Sequence, residues 1–158
     1  MLCALPQCGC GDISVQAARV LVGASIFQNS MPNTCLYFYG ALIVGCGPAG
    51  PCAGLSAIQH KLCYKLLEQE DSLGAAVYHY PRQKVAMTAP VELALMGKVK
   101  FNEMHKEKLL KFWQDVVQKT GLQVSFRECM EAIERQNGRF AVRTNRGVYS
   151  AIAVLLAM

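Results

Sequence analysis

The run Tyr39-Gly40-Ala41-Leu42-Ile43-Val44 passes without a break into Gly45-Cys46-Gly47-Pro48-Ala49-Gly50. That junction constrains the fold more than any other feature of the chain. An apolar run of this length reads as a buried strand, and the glycines after it as a tight turn into a helix. A helix-length segment at about Pro48–His60 precedes a second short strand, Tyr64–Leu67, which ends on Glu68. Together Leu36–Gln69 form one β-α-β unit of the kind that binds a dinucleotide. Gly45 allows the turn out of the strand, Gly47 has no Cβ to block a pyrophosphate, and Gly50 lets the helix pack close to the sheet. The helix N-terminus presents N–H groups and a positive dipole end to phosphates. Glu68 stands where a carboxylate accepts hydrogen bonds from both ribose hydroxyls.

An acid at the end of the second strand suits an unphosphorylated ribose, which favours FAD or NAD over NADP. The Gly-Pro-Ala-Gly form of the turn (Gly47–Gly50) resembles the flavin-binding N-terminus of the thioredoxin reductase and disulfide reductase flavoproteins, the pyridine nucleotide-disulfide oxidoreductase superfamily. Leu73-Gly74-Ala75-Ala76-Val77-Tyr78-His79-Tyr80-Pro81 resembles the flavin-side loop of thioredoxin-reductase-like proteins of the bacillithiol disulfide reductase type. Met87-Thr88-Ala89-Pro90 and a helix at Lys106–Thr120 fall where those proteins have theirs, and Tyr149–Ala157 resembles their strand beside the flavin. The resemblance covers Leu36 to Met158. It implies an α/β, Rossmann-like FAD/NAD(P)-binding fold in three layers, a parallel sheet with a small antiparallel β-meander. It implies FAD as cofactor, with NADPH or NADH as co-substrate of full-length relatives. The cofactor-binding positions carried over are Gly45, Gly47, Pro48, Ala49, Gly50, Glu68, Gln69, Gly74 and Ala75, the last usually glycine in relatives. No catalytic residue or metal ligand is carried over, although His79 and its flanking tyrosines would fall near the flavin ring.

In relatives the last strand leads into a second glycine motif, an NAD(P)H domain and a returning segment. This chain reaches Met158 at that point. The expectation is therefore an incomplete FAD-binding domain over residues 36–158, preceded by an unassigned extension over 1–35, as part of an FAD/NAD(P)H oxidoreductase. The alternative is a non-catalytic, truncated dinucleotide-binding module with weak cofactor binding or none.

Size and composition fit one domain. The chain has 158 residues, 53% of them hydrophobic, 17% charged, with a net charge of +5, and its mean hydropathy of +0.21 is high for a soluble domain. Either a large share is buried or apolar surface is left uncovered, and the second favours association, a homodimer included. Lys98, Lys100, Lys106, Lys108 and Lys111 alternate with Glu103 and Glu107 as on a solvated helix face, with no aromatic platform for nucleic acid. The apolar Ile13–Phe27 run has Arg19 in its middle and no basic residue before it, which argues against a signal peptide or membrane span. Ala17, Val20, Leu21 and Ala24 have helical spacing.

The eight cysteines (Cys3, Cys8, Cys10, Cys35, Cys46, Cys52, Cys63 and Cys129) contain no Cys-x-x-Cys pair, so the redox dithiol of thioredoxin reductase is absent. Cys46, Cys52 and Cys63 read as small buried hydrophobes. Unpaired thiols on a nucleotide-binding fold suggest a reducing, cytoplasmic setting.

Downstream, Leu109, Leu110, Trp113, Val116 and Val117 mark a helix from about His105 to Thr120, stopped at Gly121. Leu122–Phe126 reads as the next parallel strand. Met130–Arg135 and Arg139–Thr144 flank Asn137-Gly138, a hairpin signal, and Asn145-Arg146-Gly147 turns into Val148–Ala157. Gly74–Gly97 reads as an irregular connection. Three residues run against the pattern: Pro51 near N4 and Gly54 within the first helix, and Lys65 as an unpaired charge in a strand expected to be central.

Overall fold

The structure is a computed structural model and describes residues 38–74, 78, 79, 81, 85, 86, 91–99 and 104–158. The Ala17–Ala24 helix, the cysteines at 3, 8, 10 and 35, Ala75, Tyr80 and Met87–Pro90 lie outside the described residues.

Strand β1 (Phe38–Val44) is followed by helix α1 (Ala49–Gln59) and strand β2 (Tyr64–Leu67). Three of β1's central residues, Ala41, Leu42 and Ile43, are almost wholly buried, which explains its unbroken apolar sequence. Short strands β3 (Val85–Ala86), β4 (Val91–Leu93), β5 (Gly97–Val99) and β6 (Met104–His105) fill the connection to helix α2 (Lys106–Thr120). Pairing of β4 with β5 and of β3 with β6 is antiparallel. Strands β7 (Met130–Gln136), β8 (Arg139–Thr144) and β9 (Gly147–Leu156) follow α2.

The main sheet has five strands in the order β2-β1-β9-β8-β7. β1 runs parallel to both β2 and β9, while β7, β8 and β9 form an antiparallel meander. The expected parallel sheet and meander are thus one mixed sheet that shares β9. The first half of β9 pairs with β8, and residues from Ser150 onward pair with β1. At the β7–β8 turn Asn137 and Gly138 have φ of 51° and 78°, the left-handed pair that a two-residue hairpin needs.

Helix α1 packs on one sheet face through Ala53 against Ile43 and Leu66. Its outer side meets Leu109, Trp113 and Val116 of α2 together with Leu93. Gly121 closes α2 in the left-handed conformation, its N–H donating to the Val117 carbonyl at 3.0 Å. The opposite sheet face carries Leu42, Val44, Leu67, Val142, Tyr149 and Ala151.

Several expectations are corrected. Leu122–Phe126 is not a strand but a single parallel bridge, Leu67 to Ser125, because Arg127 turns the chain away with a φ of 54°. Pro51 is the third residue of α1, after the N-cap Pro48, where its missing N–H has no intrahelical acceptor to lose. Gly54 is a contact position, since a Cβ there would stand 2.5 Å from Leu122 Cδ1. Lys65 is paired, as described below. Cys63 is half-buried and disulfide-bonded, not a free thiol.

Candidate functional site

The Gly45–Gly50 turn leaves the sheet between the ends of β2 and β9. Gly45 N–H donates to the Leu67 carbonyl at 2.8 Å, and Ala157 N–H donates to the Val44 carbonyl at 2.7 Å. Each glycine answers a different demand. Gly45 has a φ of 99°, and a Cβ on it would press on the Ala157 carbonyl oxygen at 2.7 Å. A Cβ on Gly50 would overlap the Gly45 carbonyl oxygen. At Gly47 the backbone is not left-handed, and a Cβ would meet nothing nearer than the Ala157 oxygen at 3.6 Å, an ordinary contact. Nothing inside the described protein requires glycine at 47.

Pro48 is the N-cap of α1, Ala49 and Gly50 begin its first turn, and that end has neither a side-chain cap nor an acidic residue. That end carries the positive end of the helix dipole, although Pro48 and Pro51 have no N–H to offer and the Gly50 N–H donates to the Gly47 carbonyl at 3.1 Å. Beside it lies Glu68, 2% exposed. Its Oε2 accepts the Cys46 N–H at 2.6 Å, and its Oε1 accepts the Glu70 N–H at 3.0 Å. A carboxylate offers about four lone-pair directions, so two backbone donors orient the group and leave acceptor capacity over. Gln69 is exposed and lies 3.9 Å, Oε1 to Sγ, from Cys129. Gly74, with a φ of 99°, returns to the turn by donating its N–H to the Cys46 carbonyl at 3.3 Å. Of the eight described positions carried over from the resemblance, the five turn residues, Glu68 and Gly74 come together here through Cys46, while the Gln69 side chain meets Cys129 instead. Burial, then the adjacent Glu68 charge, push the Cys46 thiol up to about 12, so it stays protonated and acts as a filler of the turn.

Sequence reasoning missed a second polar cluster close by. Lys65 Nζ lies 3.0 Å from Glu128 Oε2 and 3.0 Å from Ser125 Oγ, and 4.7 Å from the centroid of the Tyr149 ring. Thr144 donates its hydroxyl to Glu128 Oε1 at 3.0 Å. Burial raises the Glu128 carboxyl, but hydrogen bonds from Tyr149, Lys65 and Thr144 and the Lys65 charge outweigh it and hold the group below the usual carboxylate range. Burial and the Glu128 carboxylate push Tyr149 up to about 12. The signal for this cluster was Lys65 itself, a cation in an apolar strand that demands an acid.

His79 sits 3.5 Å from Glu70 in an exposed loop, and Tyr78 stacks edge-on to it. Trp113 is core packing, as its helical spacing predicts. His60 and His105 are the exposed caps of α1 and α2. A cleft of about 510 Å³, lined by Tyr39, Leu62, Tyr64, Thr120 and Ser125 among others, opens at the start of β2, away from the glycine turn. No described helix is long and apolar enough to cross a membrane.

A parallel β-α-β unit with a glycine turn, an uncapped helix N-terminus and a strand-end carboxylate defines the dinucleotide-binding class of α/β folds. Residues 42–158 match the family of pyridine nucleotide-disulphide oxidoreductases, and the chain belongs to that family. Among solved structures it is similar to the bacillithiol disulfide reductase Bdr (YpdA) from Staphylococcus aureus, with a TM-score of 0.63 and 19% identity over 78% of this chain and 39% of that one. The Bacillus cereus enzyme of the same name gives 0.61 and 20%, over 75% and 39%. A flavin-containing monooxygenase from Stenotrophomonas maltophilia gives 0.63 and 18%, over 77% and 38%. The chain thus spans about two-fifths of the length of these structures. No curated protein matches it in sequence.

Proposed function

We propose that this chain is the FAD-binding part of an FAD- and NAD(P)H-dependent oxidoreductase of the thioredoxin-reductase-like kind. One observation carries the reading: the backbone at Gly47 has room for a Cβ, yet the chain places glycine there, beside an uncapped helix end and an oriented carboxylate. A ligand that approaches the backbone closely explains that choice. In this reading Gly45, Gly47, Pro48, Ala49 and Gly50 receive the pyrophosphate through the α1 N-terminus. Glu68 accepts the ribose hydroxyls with its remaining lone pairs, Gln69 flanks it, and Gly74 lies toward the flavin; Ala75 joins the set by the resemblance alone. Bound flavin supplies the hydride and electron chemistry, while the protein supplies binding, orientation and electrostatics. Self-association belongs to the same reading, supported by exposed Leu95, Val148 and Leu156.

Titrating the apo chain with FAD, followed by flavin absorbance and fluorescence, is the test. Glu68→Ala is expected to lose about 2–4 kcal/mol of FAD affinity, the worth of two hydrogen bonds to a charged acceptor. An unchanged dissociation constant removes Glu68 from the site. A chain that takes up no FAD at all is instead a dinucleotide fold without its cofactor.

A further inference from the structure

Residues Ser125–Cys129 grip the segment that carries Glu68. Ser125 N–H donates to the Leu66 carbonyl at 2.8 Å, and Glu68 N–H donates back to the Ser125 carbonyl at 2.9 Å. Glu128 N–H reaches the Glu68 carbonyl at 2.9 Å, and Arg127 N–H the Glu70 carbonyl at 3.0 Å. The Glu68 backbone is therefore bonded on both sides to a segment with no strand or helix of its own. On its exposed side that segment is held by Asn145, which accepts the Cys129 N–H at 3.1 Å and donates to the Arg127 carbonyl at 3.2 Å, and by Arg146, which donates to the Phe126 carbonyl at 2.7 Å; on its inner side it is held by one buried side chain. Glu128 is 1% exposed and is held by Lys65 of β2 and by Thr144 of β8.

We propose that Glu128 is a positioning residue for the Glu68 carboxylate: its pairing with Lys65 and Thr144 locks Ser125–Cys129 onto the end of β2 and sets the direction in which Glu68 meets the Cys46 N–H and a ribose. The ribose half of this inference rests on the FAD reading above; the positioning half does not. Removing the Glu128 charge frees the segment to shift, and the Glu68 carboxylate then loses its alignment with the turn, although Glu128 touches neither the turn nor the ligand.

Two measurements on the full chain separate these halves. The Cys46 amide proton reports the 2.6 Å bond to Glu68 and, as a short charge-assisted bond, should resonate well downfield in the proton–nitrogen spectrum. In Glu128→Gln that resonance is expected to move upfield with the rest of the α1 spectrum in place. A resonance that stays put in the folded variant overturns the proposal, since a merely structural role leaves it unmoved. Should Glu128→Gln not fold, Thr144→Val decides: a smaller shift of the same sign supports the proposal, and none overturns it. The second measurement compares ADP with 2′,3′-dideoxy-ADP. The parent chain is expected to prefer ADP by about tenfold or more, and Glu128→Gln to reduce that ratio to about twofold or less. Equal binding of the two nucleotides by the parent overturns the ribose reading, whatever the amide does. A preference that survives Glu128→Gln intact overturns the proposal.

Discussion

At the scale of single residues, the turn separates glycines that the fold needs from one that it does not. A Cβ on Gly50 would overlap the Gly45 carbonyl oxygen, whereas one on Gly47 would make only an ordinary contact with the Ala157 oxygen at 3.6 Å, so one chemical change should give two outcomes. Gly50→Ala is expected to cost about 1–3 kcal/mol of stability or more, because backbone, unlike a side chain, cannot swing aside. Gly47→Ala should leave the urea midpoint near the parent value. Enlarged to Gly47→Val, the same position is expected to abolish FAD binding while the far-ultraviolet circular dichroism stays that of the parent. Normal affinity in Gly47→Val would show that the α1 N-terminus is not the phosphate site.

At the scale of elements, the ion pair between β2 and the segment before β7 makes stability depend on pH. Glu128 has its folded pKa below the ordinary value, so the unfolded chain takes up that proton first. The contribution is complete above about pH 4.3, the unperturbed glutamate value, and is lost as pH falls through the lower folded value. Glu128→Gln leaves Lys65 without its acid and is expected to cost about 3 kcal/mol at neutral pH. That deficit should shrink as both proteins are acidified, which urea unfolding at a series of pH values would measure. A deficit that does not change with pH would mean that the charge contributes nothing. Elements with local signals were legible in advance: β1, α1, β2 and α2 lie within a residue of where apolar period, glycine and proline put them, and Asn137-Gly138 announced its hairpin. What failed was non-local. The acid that makes Lys65 tolerable stands in a turn far along the chain, and only the left-handed Arg127 tells that Leu122–Phe126 stops short of being a strand. No local pattern encodes either. Around the site, the glycines and Glu68 were readable from spacing, whereas the Cys46 and Glu70 amides that orient Glu68 are backbone groups with no sequence signature.

At the scale of the whole molecule, these 158 residues hold one glycine fingerprint of this kind, and hydride transfer requires a nicotinamide placed against the flavin. The flavin-loaded chain by itself is therefore expected to be reduced by NADPH no faster than free flavin. Anaerobic stopped-flow mixing checks this, and rapid, saturable bleaching would contradict it. The arrangement of the sheet also bears on when the site can exist. β9 lies at its centre and follows every other described strand in sequence, joining the β1–β2 pair to the β7–β8 hairpin. A two-stranded ribbon is marginal by itself, so as the chain leaves the ribosome both halves wait, with a bare β1 edge open to wrong partners. Closing the sheet then joins Phe38–Val44 to strand residues made more than a hundred positions later, the kind of distant pairing that makes folding slow. The same step carries Ala157 to the Val44 carbonyl and its oxygen against Gly45, so the glycine turn acquires that wall only when synthesis has passed β9. A nascent chain would thus own the whole fingerprint long before it could use it.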